Sequence, residues 1–261
     1  MKIRFIYKTY QDVRNNTFLY FLPVMYLLSL SFYLFIFPTS WKIEIDIFIG
    51  ELITDNPGLK FWIKGISIFI IYGCISYFLI EILKIHDHFY DRYIIRWRKY
   101  FDRDFILPRL CTPFLNASNT ARFFEEINAH NSIFMEKLYY VFVGDEIEKI
   151  HINTRTRFYE VITIYWLTQM NEFAFILSFL IINILAIVKP DNELLITVPF
   201  FSLALLFLLF LNWLWKKSNN IKVENATIAQ ISEIHNNPDL LLELKTNFKQ
   251  LCTNYNIPFD E

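Results

Sequence analysis

Apolar and polar positions fall in long blocks rather than in the short alternations of a half-buried strand. No charge occurs from Asn15 to Trp41, and the block contains T-F-L-Y-F-L-P-V-M-Y-L-L-S-L-S-F-Y-L-F-I-F. A helix rises about 1.5 Å per residue, so roughly 20 such residues cross the hydrocarbon of a bilayer. A second block, Trp62 to Leu83, carries Lys64 and Glu81 only near its ends, where a long side chain can reach the headgroup region. A third lies within Val161 to Val188, with Glu172 as its one charge, and a fourth runs uncharged from Leu194 to Trp215 with Pro199 in its first turns. Between the last two, K-P-D-N-E (Lys189 to Glu193) has the composition of a tight turn. The pattern predicts an all-α integral membrane protein. Its four transmembrane helices form two hairpins, residues 17–83 and 161–215.

The remaining chain is more polar: an arm at residues 1–16, a segment at 84–160 with helical periodicity, and a tail at 216–261. Two prolines and a polar cluster interrupt the middle segment at Leu107 to Thr120, and S-N-T-A-R-F-F-E-E from Ser118 reads as a new helix start. In the tail, residues 225–235 and 238–251 read as two amphipathic helices split by Asn236, Asn237 and Pro238. Some seventy residues make a marginal core alone, so packing between these segments, or between subunits, is expected.

Composition agrees with the block pattern: 54% of the 261 residues are apolar and 19% aromatic, while the net charge is −1. The arrangement of charge says more than its total. Residues 1–16 hold four lysines and arginines, 84–160 hold twelve and 216–261 hold five, out of 25. By the positive-inside rule both termini and the middle segment are cytoplasmic. The N-terminal residues are too polar for a secretory h-region, so the first block reads as a retained span. Cys74, Cys111 and Cys252 show no C-x-x-C spacing, which suggests neither a disulfide framework nor a zinc site.

The densest charge follows the second block, in R-Y-I-I-R-W-R-K-Y-F-D-R (Arg92 to Arg103). On one continuous α-helix, with Arg92 as origin, Arg96, Lys99 and Arg103 fall at about 40°, about −20° and about 20°, and His88 sits at the edge of that stripe. Phe89, Tyr90, Tyr93, Ile94, Trp97, Tyr100 and Phe101 fill the adjacent arc, the width of a buried face. Such a stripe can chelate phosphate oxygens with its guanidinium forks while a ring such as Tyr100 stacks on a base. The same residues also suit headgroup contacts, or salt bridges to Glu125, Glu126, Asp145 and Glu146. The stripe runs roughly 16 Å, which, unless the helix lies flat on the membrane, puts Arg103 beyond easy reach of headgroups and in want of another anion.

In the spans, Glu172 is the costly group. If it lies inside, a ring of such carboxylates from several subunits can attract cations at a pore entrance, with Ser178, Asn183 and Asn212 lining water; single Ser and Asn residues also hydrogen-bond between helices. His86 and His88 point to different helix faces, which argues against joint metal binding. No catalytic motif occurs, so no enzyme activity, cofactor or metal is expected.

Two hairpins around Y-D-R-Y-I-I-R-W-R-K-Y-F-D-R-D-F-I-L-P-R-L (Tyr90 to Leu110) resemble the bacterial SMODS-associated four-transmembrane effectors of antiphage defence. The resemblance covers the chain in architecture and implies a homo-oligomeric channel or membrane-disrupting effector in the bacterial inner membrane. It also implies control by the nucleotide or short oligonucleotide product of a partner nucleotidyltransferase, which would supply the anion for Arg92, Arg96, Lys99 and Arg103. The rival expectation is a non-conducting membrane anchor or adaptor that recruits a cytoplasmic protein.

Overall fold

A computed structural model describes residues 9–31, 99–115, 120–144, 149–188 and 192–257, together with the isolated positions 47, 58, 66, 74, 78, 82 and 83. The described residues are helical and contain no strand. They comprise α1 (Tyr10–Ser31), a π-helical turn (Lys99–Ile106) leading into α2 (Leu107–Cys111), α3 (Thr120–Glu126) and α4 (Asn131–Met135). After a second π-helical turn (Glu136–Tyr140) come α5 (Val141–Val143), α6 (Ile152–Val188), α7 (Asn192–Asn236) and α8 (Pro238–Asn254). Two of these, α6 and α7, are long and apolar enough to cross a membrane. The first predicted span enters only through α1, and most of the second lies outside the described residues.

The chain divides into two compact units. One pools Met1–Val13, Asp87–Thr163 and Asn219–Glu261; the other pools Arg14–His86 and Ile164–Ser218.

The first unit is an aromatic core assembled from distant stretches. Phe248 of α8, 1% exposed, lies 5.4 Å from the rings of both Phe114 and Phe123, and Phe123 meets Phe134 edge-on at 6.2 Å. Polar contacts tie the same stretches. The Tyr139 hydroxyl donates to Gln230 Oε1, Lys149 pairs with Glu243, the His151 amide donates to the Glu233 carboxylate, and His235 Nε2 donates to the Leu110 carbonyl at 3.1 Å. A core that no single segment could build is thus shared among three. At the end of α5, Gly144 is needed for close approach: a Cβ there would sit 2.7 Å from the Tyr140 carbonyl oxygen, which accepts the Gly144 amide.

Local sequence explains the limits of α8. Asn237 caps it by accepting from the Asp239 and Leu240 amides at 3.0 and 3.3 Å, with Pro238 in the first turn, where its missing N–H costs nothing. Its far end closes as a Schellman turn. Asn256 takes a left-handed φ of 53°, its amide reaches the Thr253 carbonyl at 3.3 Å, and the amide of buried Ile257 reaches the Cys252 carbonyl at 2.9 Å.

Two expectations for this part of the chain need correction. Lys99–Ile106 does not continue an α-helix at 100° per residue but winds as a wider π-helix. Phe101 and Ile106, which an α-helix would set about 140° apart, are both buried, as is Phe105, stacked on Phe101 at 5.0 Å. Tyr100, placed with the buried rings by the α-helical wheel, is 55% exposed. Residues 225–235, expected as a separate amphipathic helix, are the last turns of α7, which runs 45 residues without interruption. Along it Asn212, Lys216, Asn219, Val223, Ala226 and Gln230 are all buried, and this alternating spacing of four and three keeps one side of the helix covered. The break at Asn237 falls where the sequence placed it.

Helix α1 begins in the first unit with a reciprocal cap: the Thr9 amide donates to Asp12 Oδ2 at 2.9 Å and the Asp12 amide to Thr9 Oγ1 at 3.3 Å. Within α1, Ser29 and Ser31 donate to the Met25 and Leu27 carbonyls one turn back, at 2.6 and 2.8 Å, so neither hydroxyl needs a partner outside its own helix. Outward-facing α6 and α7 are densely apolar: Ile184, Ile187, Phe200, Leu203 and Phe207 are all more than half exposed, far more apolar surface than a water-facing hairpin carries.

Two predictions follow for this architecture. Asn237→Ala removes the acceptor for two amides and lowers stability by about 1 kcal/mol, read as a shifted denaturation midpoint of the full chain in detergent. Burial pushes the thiols of Cys111 and Cys252 up, Cys252 to about 12. The unfolded chain ionises both near the ordinary thiol value of about 8.5 while the folded chain does not, so stability falls as pH rises above that value. Mass spectrometry after iodoacetamide at pH 8 should find both unmodified until the protein is unfolded.

Candidate functional site in the apolar hairpin

The richest polar geometry lies between α6 and α7, around the residues that the sequence marked as lining water or linking helices. Lys216 Nζ contacts Glu172 Oε2 at 2.7 Å, with side chains 11% and 27% exposed. One turn away on each helix, Asn212 Nδ2 donates to the Thr168 carbonyl at 2.8 Å. Toward the turn, Asn183 Nδ2 donates to the Phe179 carbonyl at 2.7 Å and to Ser202 Oγ at 3.2 Å. These cross-links straddle the Lys189–Glu193 connection about symmetrically, so α6 and α7 pair as an antiparallel hairpin.

The local reason is spacing. Thr168 and Glu172, like Asn212 and Lys216, are four apart and stack on one helix face, and because the helices run antiparallel the two bonds are diagonals that cross within the same two turns. Asn212 is 5% exposed and its Nδ2 is committed to Thr168, while its Oδ1 has no hydrogen-bond partner among the described residues. Asn171, 6% exposed, likewise has Oδ1 without a partner.

Glu172 lies in the interior of uninterrupted α6, and its charge is matched by a lysine of the same chain. Asn183 and Asn212 serve as links between helices, and Ser178 is buried at 7% exposure. Lys216, counted from sequence as the first residue beyond the fourth block, is the participant that the sequence reading missed.

Of the cationic stripe, His88, Arg92 and Arg96 lie outside the described residues, and Lys99 opens the π-helical turn. Arg103 finds its anion next door: its guanidinium grips Asp104 with two hydrogen bonds, NH2 to Oδ2 at 2.7 Å and Nε to Oδ1. That hydrogen bond raises the Arg103 pKa above its ordinary value. Arg109 folds back on its own segment, 3.8 Å from the centre of the Phe105 ring with NH1 donating to the Phe105 carbonyl at 2.9 Å. Asp104, absent from the candidate partners weighed on sequence, was legible as the adjacent acid. No cluster of three or more His, Cys, Asp or Glu suited to a metal occurs among the described residues.

Fold and site together define an α-helical protein with an apolar helical hairpin, cross-linked by an internal ion pair, and a second unit with an aromatic core. The chain belongs to the YmfE protein family, whose family model matches residues 12–250. No protein of curated function and no solved structure matches the chain.

Lys216→Met leaves a carboxylate uncompensated in an apolar hairpin and should destabilise the protein by about 3 kcal/mol, whereas Lys216→Met combined with Glu172→Gln should recover most of that loss. Thermal denaturation of both variants in detergent measures the difference.

Proposed function

We propose that this protein is a non-catalytic membrane anchor that holds a packed helical unit at the cytoplasmic face and presents it to a protein partner. The single observation that carries the reading is the engagement of Glu172, Asn183 and Asn212 by the facing helix of their own hairpin. Groups that a water-filled pore would turn to its lumen are spent on holding two helices together. Hydrogen-bonded polar residues between apolar helices are the usual glue of membrane hairpins. The exposed leucines, isoleucines and phenylalanines of α6 and α7 suit lipid, and Trp213, with Lys217 Nζ 5.8 Å from its ring centre, suits the headgroup boundary. The count of lysines and arginines supports cytoplasmic termini. Four spans, with the first two carried by residues 17–83, complete the proposal.

A second reading keeps the oligomeric, nucleotide-gated channel of the SMODS-associated effectors. It is favoured by one feature of the Arg92 to Arg103 stretch, the exposed Tyr100 ring three residues from the Arg103 guanidinium, a stacking platform beside a phosphate-binding group. A nucleotide reaching Arg103 would have to displace Asp104 or share the cation with it.

Proteoliposomes separate the two. The anchor reading expects potassium efflux no faster than from empty vesicles, with or without cyclic or linear oligoadenylates, and a defined protein cross-linked in cells through the 99–163 or 219–257 segments. Efflux that rises on adding nucleotide and falls in Arg103→Ala would overturn it in favour of the channel.

A further inference from the structure

We infer that Trp213 and Lys217, on the outward side of α7, form a binding site for the phosphate of an anionic phospholipid. The inference rests on the membrane-anchored reading and names the class of lipid that the anchor selects.

Two adjacent lysines end the apolar half of α7, and they meet opposite fates. Successive residues of a helix lie about 100° apart, so while Lys216 turns inward to Glu172, Lys217 stays exposed. Lys217 forms no ion pair with a carboxylate among the described residues. Its Nζ lies 5.8 Å from the centre of the Trp213 ring, and that ring, half exposed, stacks on Phe210 with centres 6.1 Å apart. Ile196, Phe200, Leu203, Phe207 and Phe210 carry the same side of α7 as an exposed apolar stripe, which Trp213 and Lys217 continue. At about 1.5 Å per residue Lys217 stands about 32 Å along the axis from Ile196, against about 30 Å of hydrocarbon in a bilayer. The ammonium therefore falls at the level of the headgroups.

An apolar side that ends in an indole and then an ammonium follows the order of groups in a phospholipid: acyl chain, ester, phosphate. The indole suits the ester level, where its N–H finds an acceptor, and a lysine stem lies along apolar surface while its head reaches the phosphate. The Trp213 ring orients the ammonium without neutralising it, because a ring face carries no net charge. A zwitterionic headgroup brings its own cation beside the phosphate, in competition with Lys217. Phosphatidylglycerol brings none, and one basic residue at an anionic surface is worth about fivefold in binding.

Native mass spectrometry of the full chain in detergent, with phosphatidylglycerol and phosphatidylcholine of the same acyl chains supplied in equal amounts, tests the site. Wild type should retain the anionic lipid over the zwitterionic one by about fivefold. Lys217→Gln should bring that ratio to about half or less, and Lys217→Arg should preserve it. Trp213→Leu, which keeps apolar surface but removes the indole, should also lower it. Lys245→Gln, which removes an exposed cation of α8 in the other unit, should leave it unchanged. Equal retention of the two lipids by wild type, or an unchanged ratio in Lys217→Gln, would overturn the inference. So would an equal fall in Lys217→Gln and Lys245→Gln, which is net charge alone, or displacement of the lipid by an equal concentration of glycerol 3-phosphate, which would make the acyl chains irrelevant. Carbonate extraction of membranes from expressing cells tests the anchor separately. Release into the supernatant sinks the membrane reading and the site with it, whereas protein that stays in the membrane without preferring the anionic lipid sinks the site alone.

Discussion

A polar group placed in an apolar helix has to find its partner within the protein, and that single requirement organises the hairpin of α6 and α7. An apolar surrounding offers neither donor nor acceptor, so Glu172 without Lys216 would be an unpaired charge and Asn212 without the Thr168 carbonyl an unpaired amide. Each has one solution on the facing helix, and both are met only in one register. Sliding α7 by a residue would rotate Lys216 and Asn212 away together. Three cross-links spread along the hairpin, the third from Asn183 to Ser202, therefore do for two smooth apolar helices what specific packing does for a water-soluble core. The serines of α1 meet the same requirement locally, by bonding back one turn.

The aromatic unit solves a different problem, that of too little chain in any one place. Its helices from α2 to α5 are short and irregular, and two of its turns are π-helical. What compensates is the distance in sequence over which its core is drawn: Phe114, Phe123 and Phe248 meet from three helices, and Tyr139, Lys149 and His151 reach Gln230, Glu243 and Glu233. The burial of one side of α7 from Asn212 to Gln230 shows how a helix can be apolar on its surface in one half, polar in the other, and continuous throughout.

Charge in this protein is largely matched by charge or by rings of the same chain where the described residues show it. Arg103 holds Asp104, Arg109 lies on Phe105, Lys149 pairs with Glu243, and Lys216 with Glu172. A stripe of cations read on a helical wheel overstates the free positive surface, because a wheel has no place for the carboxylate next in line. The pairs are unequal in consequence. Arg103 and Asp104 are partly exposed and can exchange partners at little cost, whereas Lys216 is 11% exposed in an apolar hairpin and cannot.

Sequence by itself determined the helical class, the two apolar helices ending at Val188 and beginning near Asn192, the stop at Asn237 and the need for the polar segments to pack together. Each follows from local rules: hydrophobic run length, turn composition, capping chemistry and the size of a stable core. Only the tertiary structure decided that Glu172 faces Lys216, that Asn212 reaches Thr168, that Tyr100 turns outward while Ile106 turns in, and that the tail helix is the continuation of α7. Those outcomes depend on which residue lies across from which, and on a π-helical turn that shifts the helical phase. A one-dimensional pattern fixes how residues are spaced along a helix, but the partner of a buried charge is set by the register between helices, which exists only once the hairpin has closed.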